Sequence, residues 1–136
     1  MDDLINIQYQ DTDFRLDCRE GLDVWIERLV LDKGFTLGEI GIVFCSDEYL
    51  LSLNKTYLKH HYYTDIITFN YNEEDIISGD LCISIERVRE NAHRYEVELC
   101  NEIDRVIVHG VLHLCGYDDK SPDDKALMTK KEDYYL

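Results

Sequence analysis

The stretch Asn101 to Asp119, NEIDRVIVHGVLHLCGYDD, constrains this chain more than any other. From Val106 it is apolar almost all round, through Val106, Ile107, Val108, Val111, Leu112, Leu114 and Cys115. A helix of that kind belongs in a core, so the other elements must be arranged around it. Asn101 suits the cap position, and Asp104 suits the first turn, where negative charge meets the helix dipole. Gly116 permits the left-handed turn that ends a helix. Two histidines, His109 and His113, interrupt the apolar surface. Being four apart, they stand one turn apart on the same face, offset by about 40°.

A lone histidine in such a helix reads as a hydrogen-bonded core residue. A pair is different, because two imidazoles on a buried face both need partners or a cation. One metal ion satisfies both. Zinc takes imidazole nitrogens and carboxylate oxygens, and its catalytic sites keep three protein ligands and one open position. His109 and His113 supply two donors, and the turn at Gly116 can fold Asp119 back as the third. Asp118 is the next candidate if the turn is shifted by one residue. The spacing H-x3-H-x2-G-x2-D is also similar to the metzincin peptidase pattern. That chemistry places a general-base glutamate directly after the first histidine, where this chain has Gly110.

The other elements follow from hydrophobic periodicity. Residues 4 to 9 alternate as a strand. Cys18 to Lys33 carries a helical stripe of Leu22, Trp25, Ile26, Leu29 and Val30, which Gly34 ends. Glu39 to Cys45 reads as a second strand, and Ser46 opens a short helix through Tyr57. Ile66 to Tyr71 and Gly79 to Ile85 read as strands, with an acidic turn from Asn72 to Ser78 between them. Glu86 to Val97 is helical. Ser121 caps a last helix with Pro122 in its first position and Lys130 and Lys131 in its final turn, and the closing EDYYL shows no chemical pattern. The order β-α-β-α-β-β-α-α-α predicts an α+β fold: one small mixed four-stranded sheet covered by about five helices, with the metal site on a buried helix. At 136 residues the chain is expected to form a single domain.

The helix HGVLHLCGYDD closely resembles the H-G-x-L-H-L-x-G-Y-D-H signature of the YbeY family, the endoribonuclease YbeY or rRNA maturation factors. Every fixed position matches except the last, where the family's third histidine is Asp119. A second stretch, LNKTYLKHHYYTDIITF, resembles the family's L-N-x-x-Y-R-x-x-D-x-P-T-D-V-L-S-F at Leu53, Asn54, Tyr57, Thr64, Asp65 and Phe69. The family's arginine is Leu58 here, with Lys59 beside it, and its proline is Tyr63. Lys59 can replace a point charge but not a bidentate guanidinium fork. Gly79-Asp80-x-x-Ile83-Ser84 also looks like the family, with Asp80 a candidate to anchor a histidine or the loop. The resemblance implies a zinc-dependent endoribonuclease, one zinc per chain on His109, His113 and Asp119. It implies action on single-stranded rRNA in ribosome assembly and quality control, with the small ribosomal subunit or a ribosomal protein as partner. Lys59 and Asp65 are the candidate catalytic residues, and Lys59, Thr64 and Arg87 the candidate substrate contacts.

Charge and cysteine content bear on that expectation. The net charge of −15 opposes nucleic-acid binding, which rests on Lys and Arg at phosphates. The best basic surface is Arg87, Arg89 and Arg94 with Lys55 and Lys59. A non-catalytic ribosome-assembly or RNA-binding factor with a structural metal, or a metallohydrolase on another substrate, are the competing readings. The five cysteines form no C-x-x-C pair and read as reduced thiols of a cytoplasmic protein. Cys115 lies about 200° round the helix from His113, which suits core packing rather than ligation. No apolar run is long enough to span a bilayer, and the acidic start, MDDLINIQYQ, is unlike a secretory signal.

Overall fold

The computed structural model describes residues 4–16, 21–58, 64–117 and 121–135. The elements follow the predicted order. They are β1 (Ile5–Gln10), α1 (Leu22–Asp32), β2 (Thr36–Cys45), α2 (Asp47–Leu53), a π-helical turn (Asn54–Leu58), β3 (Ile66–Asn70), β4 (Ile76–Ser84), α3 (Ile85–Arg94), α4 (Leu99–Leu114) and α5 (Pro122–Tyr135). The four strands form one mixed sheet in the order β1-β2-β4-β3. β1 and β4 both run parallel to β2, and β3 pairs antiparallel with β4. The hairpin β3–β4 places Phe69 opposite Asp80 and Asn70 opposite Gly79.

Period-two alternation divides the sheet into two unequal faces. Ile40, Ile42 and Phe44 of β2 and Ile77, Leu81 and Ile83 of β4 point into the main core, beside α1, α3 and α4. The intervening residues Cys45 and Cys82 join Leu50 and Ile67 in a smaller cluster on the α2 side. Helix α4 is central: it touches β3, β4, α1, α3 and α5. Nine of its residues are buried, including Ile103, Ile107, Val111 and Leu114, as its apolar circumference predicts.

α4 lies so close to the sheet that two glycines are required. A Cβ on Gly110 would stand 2.8 Å from both Ile66 Cδ1 and Leu81 Cδ2. A Cβ on Gly79 would stand 2.4 Å from the Phe69 carbonyl oxygen and 2.9 Å from Leu114 Cδ2. The glycine directly after His109 therefore serves helix–sheet approach in this chain. Asn72, in the β3–β4 turn, fixes the other end of the helix. Its Nδ2 donates to the Leu114 carbonyl at 2.7 Å, and its Oδ1 accepts from the Ser78 amide at 2.8 Å. One of the orphan carbonyls of the last turn is thereby satisfied. Gly116 follows with φ +103°, the positive-φ turn expected after the helix.

Several boundaries differ from expectation. α4 begins at Leu99 with Glu98 in the cap position, so Asn101 lies inside the first turn and not at the cap. The strand expected from Gly79 starts at Ile76, because pairing to Thr36 and Leu37 of β2 extends it into the last three residues of the expected turn. α5 continues to Tyr135, so Lys130 and Lys131 are mid-helix and no basic residue occupies its last turn. Ser46 and Ser121 cap α2 and α5 as expected, accepting from Tyr49 N at 3.1 Å and Asp124 N at 3.0 Å. The expectation of five reduced thiols is also corrected. Cys45, Cys82 and Cys115 are free, but Cys100 is disulfide-bonded. Among the described residues, no helix is long and apolar enough to cross a membrane.

Replacing Gly79 with Ala is expected to destabilise the fold more than replacing Gly110. At Gly79 the obstacle is backbone, whereas at Gly110 it is the ends of side chains and a gain in helix propensity partly offsets the clash. Urea denaturation should give a loss of about 3 kcal/mol or more for Gly79→Ala and about 1–2 kcal/mol for Gly110→Ala. Equal losses would contradict this account of helix–sheet approach.

Candidate histidine site on the central helix

Arg105, His109 and His113 follow one another at intervals of four along α4 and so share one face. The two rings meet edge to face with centroids 4.6 Å apart. His113 Nε2 stands 3.0 Å from His109 Nε2. Two nitrogens of a tetrahedral zinc centre, each about 2.0–2.1 Å from the ion, lie about 3.3 Å apart. The pair therefore converges on one point at close to ligand spacing, and its imidazole chemistry suits zinc. Among the described residues, no group of three His, Cys, Asp or Glu side chains is placed to hold a metal. The third predicted donor, Asp119, and its neighbour Asp118 lie outside the described residues, as does Lys59.

The other nitrogen of His109 points the opposite way. Its Nδ1 lies 2.7 Å from Glu132 Oε2 on α5. Glu132 is only 7% exposed, and its second oxygen accepts from Arg105 Nη1 at 3.2 Å. Arg105 Nη2 donates to Asp133 Oδ1 at 2.8 Å. The α5 residues reach this position because the far end of the helix is tied down. Trp25 Nε1 donates to the Tyr135 carbonyl at 3.0 Å, and the Tyr135 hydroxyl donates to Asp32. Sequence reading assigned no chemistry to the closing EDYYL, yet its first residue, Glu132, is the direct partner of His109.

Beside His109 a cleft of about 280 Å³ opens between β3, α3, α4 and α5, lined in part by Asp65, Asn91, Glu102, Arg105 and Glu132. Asp65 is half-buried at the entry to β3, and its Oδ2 accepts from Asn91 Nδ2 at 3.3 Å. Burial raises its pKa above the ordinary carboxylate value, against the opposing pull of His109 and of the Asp65 and Ile66 amides. Glu102, 4% exposed, is also raised, first by burial and then by Asp65 and Glu132, with Arg105 opposing. The candidate catalytic residue Asp65 thus borders the same cleft as His109.

The remaining expectations are distributed elsewhere. Thr64 precedes β3, and its Oγ1 donates to the Ile66 carbonyl at 3.4 Å. Arg87 does not line the cleft. It bridges α3 to α2, with Nε 3.1 Å from both Asp47 oxygens and Nη1 3.6 Å from Glu90. Among the described residues Asp80 meets no histidine: strand alternation turns it to the α2 face, where Tyr71 hydrogen-bonds it, and His60 and His61 lie outside the described residues. Burial pushes the Cys115 thiol up to about 11, and the residue packs against the main core, as its position round the helix suggested.

The sheet, the buried central helix and the converging imidazoles define a small α+β protein with a histidine-pair site. The sequence model of the family described as Endoribonuclease YbeY matches residues 4–136. A Flavobacterium psychrophilum protein named Endoribonuclease YbeY is 45% identical over 133 residues, covering 98% of this chain and 94% of the relative. Its Bacteroides thetaiotaomicron namesake is 48% identical over 112 residues, covering 82% of each chain. The solution structure of TM1509 from Thermotoga maritima superposes with a TM-score of 0.67 at 25% identity, covering 95% of this chain and 85% of that one. The chain belongs to the YbeY family.

The raised pKa of Glu102 has a sign that can be tested. A buried acid that holds its proton more tightly when folded stabilises the fold below its unfolded pKa, and that stability is lost as pH rises through the folded value. Glu102→Gln removes this loss. Its stability relative to the parent is expected to improve as pH rises above the ordinary carboxylate range in paired urea melts. A difference independent of pH would show that Arg105 fully compensates the buried carboxylate.

Proposed function

We propose that this chain is a zinc-dependent endoribonuclease that cuts single-stranded rRNA during ribosome maturation and quality control in the cytoplasm. The observation that carries the reading is the convergence of His109 Nε2 and His113 Nε2 at 3.0 Å, on the helix that bears the family's signature. Two relatives at 45% and 48% identity are named for endoribonuclease activity, which supports the reaction class. His109 and His113 would hold one zinc with Asp119 as the third ligand. A zinc so bound supplies a Lewis acid and brings the pKa of a bound water toward about 7. Asp65, on the cleft beside His109, is the candidate to accept or hold a proton there. Burial raises its pKa above the ordinary carboxylate value, the direction that favours a group able to hold a proton. Lys59, Thr64 and Arg87 are the proposed substrate contacts. Arg87 must leave its Asp47 pairing to reach RNA, which makes it the weakest of the three.

One observation favours a second reading, a ribosome-assembly or RNA-binding factor in which the metal is structural. The cleft is lined by Asp65, Glu102 and Glu132, a setting unfavourable to a phosphodiester, and the family's arginine is Leu58. The two readings separate in one experiment. The parent protein, a chelator-treated sample and His113→Ala are incubated with single-stranded RNA carrying a ribosomal sequence. Cleavage by the parent should be lost on chelation, restored by zinc, and lower by at least about 100-fold in His113→Ala. Cleavage that survives in His113→Ala would sink the metal-dependent mechanism. A zinc-loaded parent that binds RNA without cutting it would establish the second reading.

A further inference from the structure

The contact between α4 and α5 gives His109 a defined proton. A carboxylate only accepts, so the hydrogen bond between His109 Nδ1 and Glu132 Oε2 places the imidazole proton on Nδ1. In the neutral ring Nε2 then carries the lone pair, and it is Nε2 that faces His113. Glu132 is itself held. It is nearly buried, Arg105 engages its other oxygen, and Arg105 also grips Asp133 one residue on. The Trp25 bond to the Tyr135 carbonyl stops the end of α5 from swinging away. Of the described α5 side chains only Met128 and Glu132 are buried, four residues apart on the inner face. One of the two inward positions of this helix is therefore spent on a carboxylate, where an apolar residue would cost less to bury.

We propose that Glu132 is a positioning residue that fixes the ring orientation and the Nδ1–H tautomer of His109, and that Arg105 holds Glu132 in place for this task. The inference rests on reading His109 and His113 as metal donors. An outer carboxylate that takes the second ring N–H of a ligating histidine raises the basicity of the donor nitrogen and removes its freedom to turn. Glu132 acts only through His109. Arg105 offsets the burial of its charge.

The test uses the full chain as parent, Glu132→Ala and Glu132→Gln. Zinc affinity is measured by competition with a chromophoric chelator. The His109 tautomer is read by 15N NMR in the metal-free protein at about pH 8.5, where an imidazole is neutral. Thermal melts report the fold. Glu132→Ala should weaken zinc binding by about 10–100-fold and move His109 from the Nδ1–H form to a mixture of tautomers. Glu132→Gln keeps an acceptor oxygen without the charge and should show both effects more weakly. If Glu132→Ala does not fold, Glu132→Gln decides alone. An unchanged tautomer overturns the proposal even where affinity falls, since the loss would then come from packing. An unchanged affinity overturns it as well. A parent that binds no zinc overturns the metal reading instead, and the tautomer shift then remains the test of Glu132.

Discussion

Helix α4 approaches the sheet closely enough that no Cβ fits at Gly110 or Gly79, and the site depends on that approach. The helix is apolar nearly all round, so it is stable only where neighbours cover it, and β3, β4, α1, α3 and α5 do so. Once it is enclosed, its two imidazoles are half-buried and must be satisfied. The structure does this from both sides. His113 meets His109 at the Nε2 nitrogens, and Glu132 closes the back of His109. Asn72 fixes the helix end at Leu114, which keeps the last turn, and His113 within it, in register with the β3–β4 hairpin. Packing and site chemistry are two consequences of one helix placement.

The carboxylates of the cleft are unfavourable to an anion, and the structure offsets part of their charge. Three acids border the cleft in a chain of net charge −15. Glu132 is committed to Arg105 and His109. Burial shifts Asp65 and Glu102 toward their neutral forms. Both shifts act against the negative charge of the cleft, and a cation on the histidine pair would offset it further. Among the described residues, the arginines of α3 expected to meet RNA do not line this cleft. Arg87 is spent on Asp47 and Glu90, and Arg94 pairs with Glu90.

Much of this was legible in the sequence because strong periodic signals coincide with the elements that matter. The apolar run of α4, the alternation of β2 and β4 and the serine caps of α2 and α5 each report a local physical requirement, and the order of elements follows. The histidine pair was legible for the same reason, since spacing four on a helix sets a shared face without tertiary information. Arg105 carries the same signal, four residues before His109, and was open to the same reasoning. Glu132 was not. Its partner is 23 residues away, and among the described side chains of α5 only Met128 and Glu132 form an inward stripe, too little to distinguish a buried carboxylate from a solvated one. Asp80 stood out because an acid on an apolar strand looks like a site residue. Its face of the sheet is the thinly covered one, where Tyr71 partners it. Arg87 shows the same limit, because its Asp47 partner lies 40 residues away.

The central claim is that the facing imidazoles of α4 are one ion's ligands, completed from the chain beyond Gly116. Native mass spectrometry of the purified protein, beside Asp118→Ala and Asp119→Ala, tests it most directly. The account predicts one zinc per chain in the parent and in Asp118→Ala, and none in Asp119→Ala, with all three proteins folded. A parent without stoichiometric metal, or an Asp119→Ala protein that keeps its zinc, would contradict it.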